Sequence, residues 1–364
     1  MNPLDDPTTY AVDSHDMLGQ LDGLRERFDQ AVAGALALEL PFPADAVDDV
    51  VIAGMGSSGD VGSMIVGAFW ERLRKPVHVV RGYGLPGWVG ERSLVIGATY
   101  SGETEETLTC VADAVDRTCP VIGISTGGKM TGFYRPAGVP VFEPPTAPHP
   151  RAAGVQMLAA VLVLLQRMGV LEQLDRDIDE ARGRLEAIGA ELGRYVPRAE
   201  NPAKQVAASL NGALPLIWGA QMTAPLADHW RGQIEAAAKV PVMSGEFPDH
   251  NHRDLPAVAG YGELNHRPHL VILRDPRQHR QVQRRFDAAR HVFEPAVAGV
   301  TSIQAEGVTD LARLLDLAIL GDAVALYLAC ARGVDPADPG EIATLQDELA
   351  TTGYGRSQRP PTMP

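Results

Sequence analysis

Short continuous apolar runs alternate with helical repeats along most of this chain. Met17, Leu21, Leu24, Phe28 and Val32 recur at spacings of three and four, which predicts a helix over Ser14 to Leu38 capped by Asp13 or Ser14. Val50 to Gly54 then reads as a buried strand and Ser58 to Leu73 as a helix. Strands follow at Pro76 to Val80, Leu94 to Ala98, Val121 to Ser125 and Val139 to Phe142, with a helix over Glu103 to Arg117. Strands that are apolar throughout, alternating with helices, belong to a parallel sheet covered on both faces.

Val155 to Met168 predicts a buried helix, and Leu171 to Tyr195 a charged one that reads as a connector. After Asn201 the pattern returns in weaker form. Leu214 to Ala220, Val240 to Met243, His269 to Leu273 and Gly299 to Ile303 answer the first strands, and Met222 to Ala238, Arg280 to Phe293 and Thr309 to Ala331 answer their helices. The order of elements implies a tandem duplication. The expected fold is α/β, two tandem units that are each a mainly parallel sheet flanked by helices, doubly wound and flavodoxin-like. The expected divisions are a helical segment over 1–40, a first domain over 41–170, a helical connector over 171–200, a second domain over 201–350 and a disordered tail over 351–364.

The 364 residues are 45% hydrophobic and 21% charged, as in a soluble globular protein of two domains. A formal net charge of −14 argues against nucleic acid or an anionic membrane as partner, because both select a basic face. The apolar stretch Val155 to Leu165 contains Gln156 and falls short of the ~20 residues of a spanning helix. Cys110, Cys119 and Cys330 make no CxxC pair, and Met-Asn-Pro-Leu-Asp-Asp lacks the basic start and apolar run of a signal peptide. A cytoplasmic protein is expected.

Two turns in the first half carry candidate chemistry, each directly after a strand and opening a helix. One is Gly54-Met-Gly-Ser-Ser-Gly59, the other Thr99-Tyr-Ser-Gly-Glu-Thr104. Helix N-termini offer unpaired N–H groups and a partial positive charge, and the Ser58, Thr99, Ser101 and Thr104 hydroxyls add donors suited to phosphate oxygens. Each feature alone is commonplace: Ser and Thr often serve only as caps, and one GxGxxG is a weak dinucleotide signal. His78-Val-Val-Arg81 supplies no acidic residue to hold a ribose, and no Gly-Lys-Ser/Thr follows for a triphosphate. Paired turns after neighbouring strands favour a monophosphate.

Thr99-Tyr-Ser-Gly-Glu-Thr resembles the Ser-Tyr-Ser-Gly-Asn-Thr signature of the sugar isomerase (SIS) domain family. Gly54-Met-Gly-Ser-Ser-Gly and Pro150-Arg-Ala-Ala153 are similar to its bifunctional phosphoglucose/phosphomannose isomerase subgroup, and the likeness runs to about Leu349. It implies two SIS-type domains and a sugar phosphate substrate. Gly56, Ser57, Ser58, Thr99, Ser101, Thr104 and Arg151 would hold the phosphate. Thr99 keeps the hydroxyl of the usual Ser, whereas Glu103 puts a negative charge where the family has Asn. The second half has no hydroxyl turn, since Arg274-Asp-Pro-Arg-Gln-His-Arg280 follows its third strand.

The resemblance assigns the proton chemistry to that half. Ala227 to Lys239 is similar to the stretch carrying the family's catalytic Glu, which makes Glu235 the base; on helical spacing alone it would pair with Arg231 or Lys239. Phe247-Pro-Asp-His-Asn-His-Arg-Asp254 resembles the family's Asn-His-Asn-Glu, which makes His252 the ring-opening group, supplied by the neighbouring subunit of a homodimer with a shared site. The His-x-His pair beside Asp249 and Asp254 also has the look of zinc ligands, but no third His or Cys stands in a recognisable motif. No metal and no cofactor are expected. Gln346 stands where the family's last helix has a Lys, and so removes a positive charge while keeping a donor. The implied activity is aldose–ketose isomerisation of glucose 6-phosphate and/or mannose 6-phosphate to fructose 6-phosphate through a cis-enediol. The alternative is a non-catalytic sugar-phosphate-binding protein of the same fold, a sensor or regulator.

Overall fold

A computed structural model describes residues 3–147, 149–253, 255–261 and 268–351. The expected tail over 352–364 lies outside the described residues. The chain divides into two compact units. The first comprises Glu26–Val66, Glu71–Leu174 and the described part of Asp338–Pro364; the second comprises Gly67–Trp70, Asp175–Ala337 and the described part of Met1–Arg25.

The first unit is a five-stranded parallel sheet with strands β1 (Asp49–Ala53), β2 (Val77–Val80), β3 (Ser93–Ala98), β4 (Val121–Ile124) and β5 (Val141–Phe142), in the order β2-β1-β3-β4-β5. This is the flavodoxin-like order expected. Val50, Val51, Ile52, Leu94, Val95 and Ile96 are fully buried, as continuous apolar strands between helix layers must be. The helices are α1 (Leu24–Ala37), α2 (Gly56–Ala68), α3 (Glu105–Asp116) and α4 (Gly154–Arg167). α1 begins later than its periodicity predicts. The Asp13 carboxylate accepts from Met17 N and Leu18 N, and Gly23 at φ 65° separates the short 3-10 turns before it from the α-helix.

The second unit repeats the plan with α5 (Asp175–Leu192), α6 (Pro202–Leu210), β6 (Leu214–Ala220), α7 (Thr223–Ala238), β7 (Met243–Phe247), β8 (Pro268–Arg274), α8 (Arg280–Phe293), β9 (Gly299–Gln304) and α9 (Asp310–Ala331). Its parallel sheet runs β7-β6-β8-β9, which is the first unit's order without a fifth strand. The final helix is α10 (Glu341–Thr351).

Strand β7 starts at Met243, where Val240 to Met243 was expected. Pro241 has no N–H to donate, so pairing begins after it, at Leu216↔Met243. The charged α5 is docked rather than solvated. Ala181, Leu185, Ile188 and Leu192 are buried, and Arg184 reaches Asp316 on α9 at 2.7 Å. α9 is long and apolar enough to cross a membrane, but it is buried as the core helix of its unit. Trp230 of α7 donates to Leu317 O, and Gly321 makes room for that indole.

Candidate active site

Neighbouring strands β1 and β3 pair at Ala53↔Gly97, so the turns that leave them emerge side by side at the carboxyl end of the sheet. The strand order reverses there, which is where open α/β sheets bind ligands. In the first turn Gly56 sits at φ 50°, and a Cβ on Gly59 would lie 2.6 Å from Gly54 O. A Cβ on Gly54 would stand 3.0 Å from Ala98 O, so glycine eases the close packing of the two turns. Gly56 is exposed at the head of α2, and Ser57 and Ser58 are half-buried. The Ser58 hydroxyl lies against a soft acceptor, Met157 Sδ of α4, at 3.7 Å.

The second turn is more closely determined. Thr104 occupies the N-cap position of α3, yet its hydroxyl makes no capping bond; it lies 2.8 Å from the buried Thr99 hydroxyl. Thr99 Oγ1 also accepts from Gly102 N at 3.2 Å, and Ser101 Oγ, on an exposed residue, accepts from Glu103 N at 3.3 Å. Gly102 has φ 73° and presses on the next turn, where a Cβ would stand 1.9 Å from Gly127 O. That next turn locks the arrangement, since Thr126 N and Oγ1 donate to Tyr100 O and Met130 N donates to Gly102 O. Glu103 does not reach back over the hydroxyls. Its carboxylate accepts from Lys129 N at 2.9 Å and faces Lys129 Nζ at 3.5 Å. The charge at Glu103 thus meets an exposed lysine at the surface and is turned away from the hydroxyls.

Arg151 is half-buried in the 3-10 turn Pro150–Ala153 that leads into α4, with its N–H held by His149 Nδ1. The preceding loop is tied to the hydroxyl turn, because Ala147 N donates to the Tyr100 hydroxyl at 3.0 Å. Gln346 lies on α10, and its side chain is outside the described residues.

In the second unit the equivalent turns are filled by protein. Thr223 Oγ1 bonds Ala220 N, Ala220 O and Leu273 O, while the buried Gln278 amide donates to Ala220 O and Thr223 Oγ1. The basic run after β8 is paired: Arg274 with Asp287, and Arg277 with Asp310. The open hydroxyl turn of the first unit has no counterpart among these described residues.

Glu235 lies near the end of α7, its side chain 39% exposed. Oε1 accepts from Val242 N at 3.3 Å, and Oε2 is 3.7 Å from Arg231 Nη1, whose nearer partner is Asp228. Lys239 turns instead to Ala236 O. His252 is exposed in the 3-10 turn Asp249–His252, just beyond the other end of β7. Its neighbour His250 packs on Gly245, where a Cβ would meet the ring at 2.0 Å. The five residue steps from Val242 to Phe247 span about 16 Å. Glu235 is thus bonded just ahead of β7, and His252 follows the strand in a turn whose His250 lies on Gly245. Among the described residues no three His, Cys, Asp or Glu side chains form a metal-binding group, and Asp254 lies outside them.

A family model described as the bacterial phospho-glucose isomerase C-terminal SIS domain matches residues 199–349. A bifunctional phosphoglucose/phosphomannose isomerase of Caldicellulosiruptor bescii is 32% identical over 335 residues, which is 92% of this chain and 99% of that protein. This chain belongs to that family. A second member, from Aquifex aeolicus, is 31% identical and covers 82% of this chain and 90% of its own. Among solved structures, a glucose-6-phosphate isomerase like protein from Thermus thermophilus aligns over 95% of this chain and 99% of its own with TM-score 0.64 at 21% identity. The C-terminal domain of glucosamine-fructose-6-phosphate aminotransferase from Francisella tularensis aligns over 89% and 98% with TM-score 0.69 at 15% identity, a likeness of fold alone. Membership of an isomerase family favours the enzyme over the binding-only reading.

Three features of the site escaped the sequence. Lys129 as the partner of Glu103, Tyr100 as the partner of Ala147, and Gln278 as the plug of the second unit all act across large sequence separations. Only Gln278 left a trace, as a polar residue where the first half has a hydroxyl turn.

Proposed function

We propose that this protein interconverts glucose 6-phosphate and/or mannose 6-phosphate with fructose 6-phosphate by acid–base proton transfer through a cis-enediol, without a metal. The observation that carries the reading is the hydroxyl turn. Its N-cap threonine leaves the helix uncapped while its hydroxyl joins that of Thr99 at 2.8 Å. Gly56, Ser57, Ser58, Thr99, Ser101 and Thr104 supply hydroxyl and helix-end N–H donors for a dianion, and Arg151 adds charge.

His252 moves a proton between O1 and O5 to open the pyranose. Glu235 then takes the proton from C2 while O1 is protonated, giving the cis-enediol, and returns it to C1 as O2 loses its own proton. Glucose and mannose 6-phosphate differ only at C2, so both give the same enediol. The active form is a homodimer with a shared site. What supports it is that Glu235 is bonded ahead of β7 while the exposed His252 follows the strand.

A coupled assay from fructose 6-phosphate, run with and without EDTA and with Glu235→Gln, tests the reaction. Turnover should survive the chelator, and the variant should lose at least about 100-fold in kcat. Phosphosugar binding without turnover in the unaltered protein would contradict the proposal.

A further inference from the structure

Arg81 follows β2, the strand paired with β1 on the side away from β3, at the register Ala53↔Val80. Gly54 N donates to Val80 O at 3.1 Å, so Arg81 begins level with the glycine turn. Its guanidinium lies along the first turns of α2. Nη1 is 2.8 Å from Asp60 Oδ1, Nη2 donates to Ser63 Oγ at 3.0 Å, and Nε lies 3.3 Å from where a Cβ on Gly59 would stand. Asp60 is buried, its side chain 11% exposed, whereas that of Arg81 is 34% exposed.

This arrangement needs a reason, because Asp60 sets a poorly solvated negative charge two residues from Ser58, beside a turn whose donors suit an anion. A carboxylate there would oppose phosphate binding. A guanidinium held flat against it cancels that charge, and its planar fork pins Asp60 and Ser63 together.

We propose that Arg81 is a positioning residue for the phosphate site, acting through Asp60: it neutralises the buried carboxylate and fixes the head of α2, so that the glycine and hydroxyl turns accept an anion. The inference rests on the reading of those turns as a phosphate site. Arg81 supplies binding and no proton transfer, so its loss appears in affinity rather than in the chemical step.

The test measures inorganic phosphate as a competitive inhibitor, together with fructose 6-phosphate kinetics. Arg81→Gln should raise the phosphate inhibition constant and KM about tenfold with kcat within about twofold. Adding Asp60→Asn in that background should restore both to within about threefold of the unaltered protein, because the charge that Arg81 offsets is then gone. Arg81→Lys, which keeps the charge but not the fork, should fall between. Unchanged affinity in Arg81→Gln overturns the inference, and so does a loss that Asp60→Asn fails to restore. Should Arg81→Gln alone not fold, Arg81→Lys decides, and a phosphate inhibition constant unchanged in that variant overturns the inference. An unaltered protein that neither binds phosphate nor turns over would instead remove the underlying reading.

Discussion

At the scale of single residues, the hydroxyl turn is specified by what Thr104 does not do. An N-cap threonine usually bonds the second or third helical N–H; here the hydroxyl lies against that of Thr99 instead. Thr104→Val should therefore raise KM for fructose 6-phosphate about tenfold while the melting temperature stays close to that of the unaltered protein. A drop in melting temperature with unchanged KM would reduce Thr104 to a structural cap. Gln346 makes the opposite prediction. Gln346→Lys places a cation where the likeness to the family's motifs puts one, and kcat should rise roughly tenfold; an unchanged kcat would exclude a role for charge at that position. The hydroxyl turn stood out in the sequence because it follows a strand and opens a helix, whereas Arg151, Glu235 and His252 were singled out only by the likeness to the family's motifs. The role of Lys129 was not, since nothing in Glu103's neighbourhood along the chain announces a partner 26 residues away.

At the scale of elements, β6 and α8 have the bounds their periodicity implies, because apolar runs ended by turn residues define them locally. β7 was displaced by Pro241, whose effect depends on which backbone N–H groups the partner strand requires. α6 was missed although Asn201 caps it and Pro202 opens it; its nine residues were overshadowed by the strand that follows. The core helix α9 carries its own pH signature. Burial pushes the Cys330 thiol up to about 12 and also raises the Tyr327 and Tyr10 phenols, while burial lowers the Lys204 ammonium.

A group whose folded pKa is raised contributes stability that is complete below its unfolded value and is lost as pH climbs toward the folded one. For Cys330 that window runs from the ordinary 9.0 to about 12. Lys204 works the other way, with stability gained as pH rises from its lowered folded value toward 10.5, but it accounts for one proton against three. The melting temperature should fall between pH 9 and 11, and Cys330→Ala should make that fall shallower. A flat profile over that range would contradict this account of the α9 core.

At the scale of the whole molecule, duplication has produced two sheets of the same strand order with different uses. The first keeps an open hydroxyl turn at its switch point. The second closes the equivalent turn with Thr223 and Gln278, and carries Glu235 bonded ahead of β7 and His252 in the turn after it. The shared-site proposal lends itself to a counting experiment. Homodimers of Glu235→Gln and of His252→Ala should each be inactive. After subunit exchange at equal amounts, half of the dimers are mixed, and each mixed dimer has one site with both groups intact, so about a quarter of the unaltered activity should return. No recovery from a mixture shown to contain mixed dimers would contradict the account.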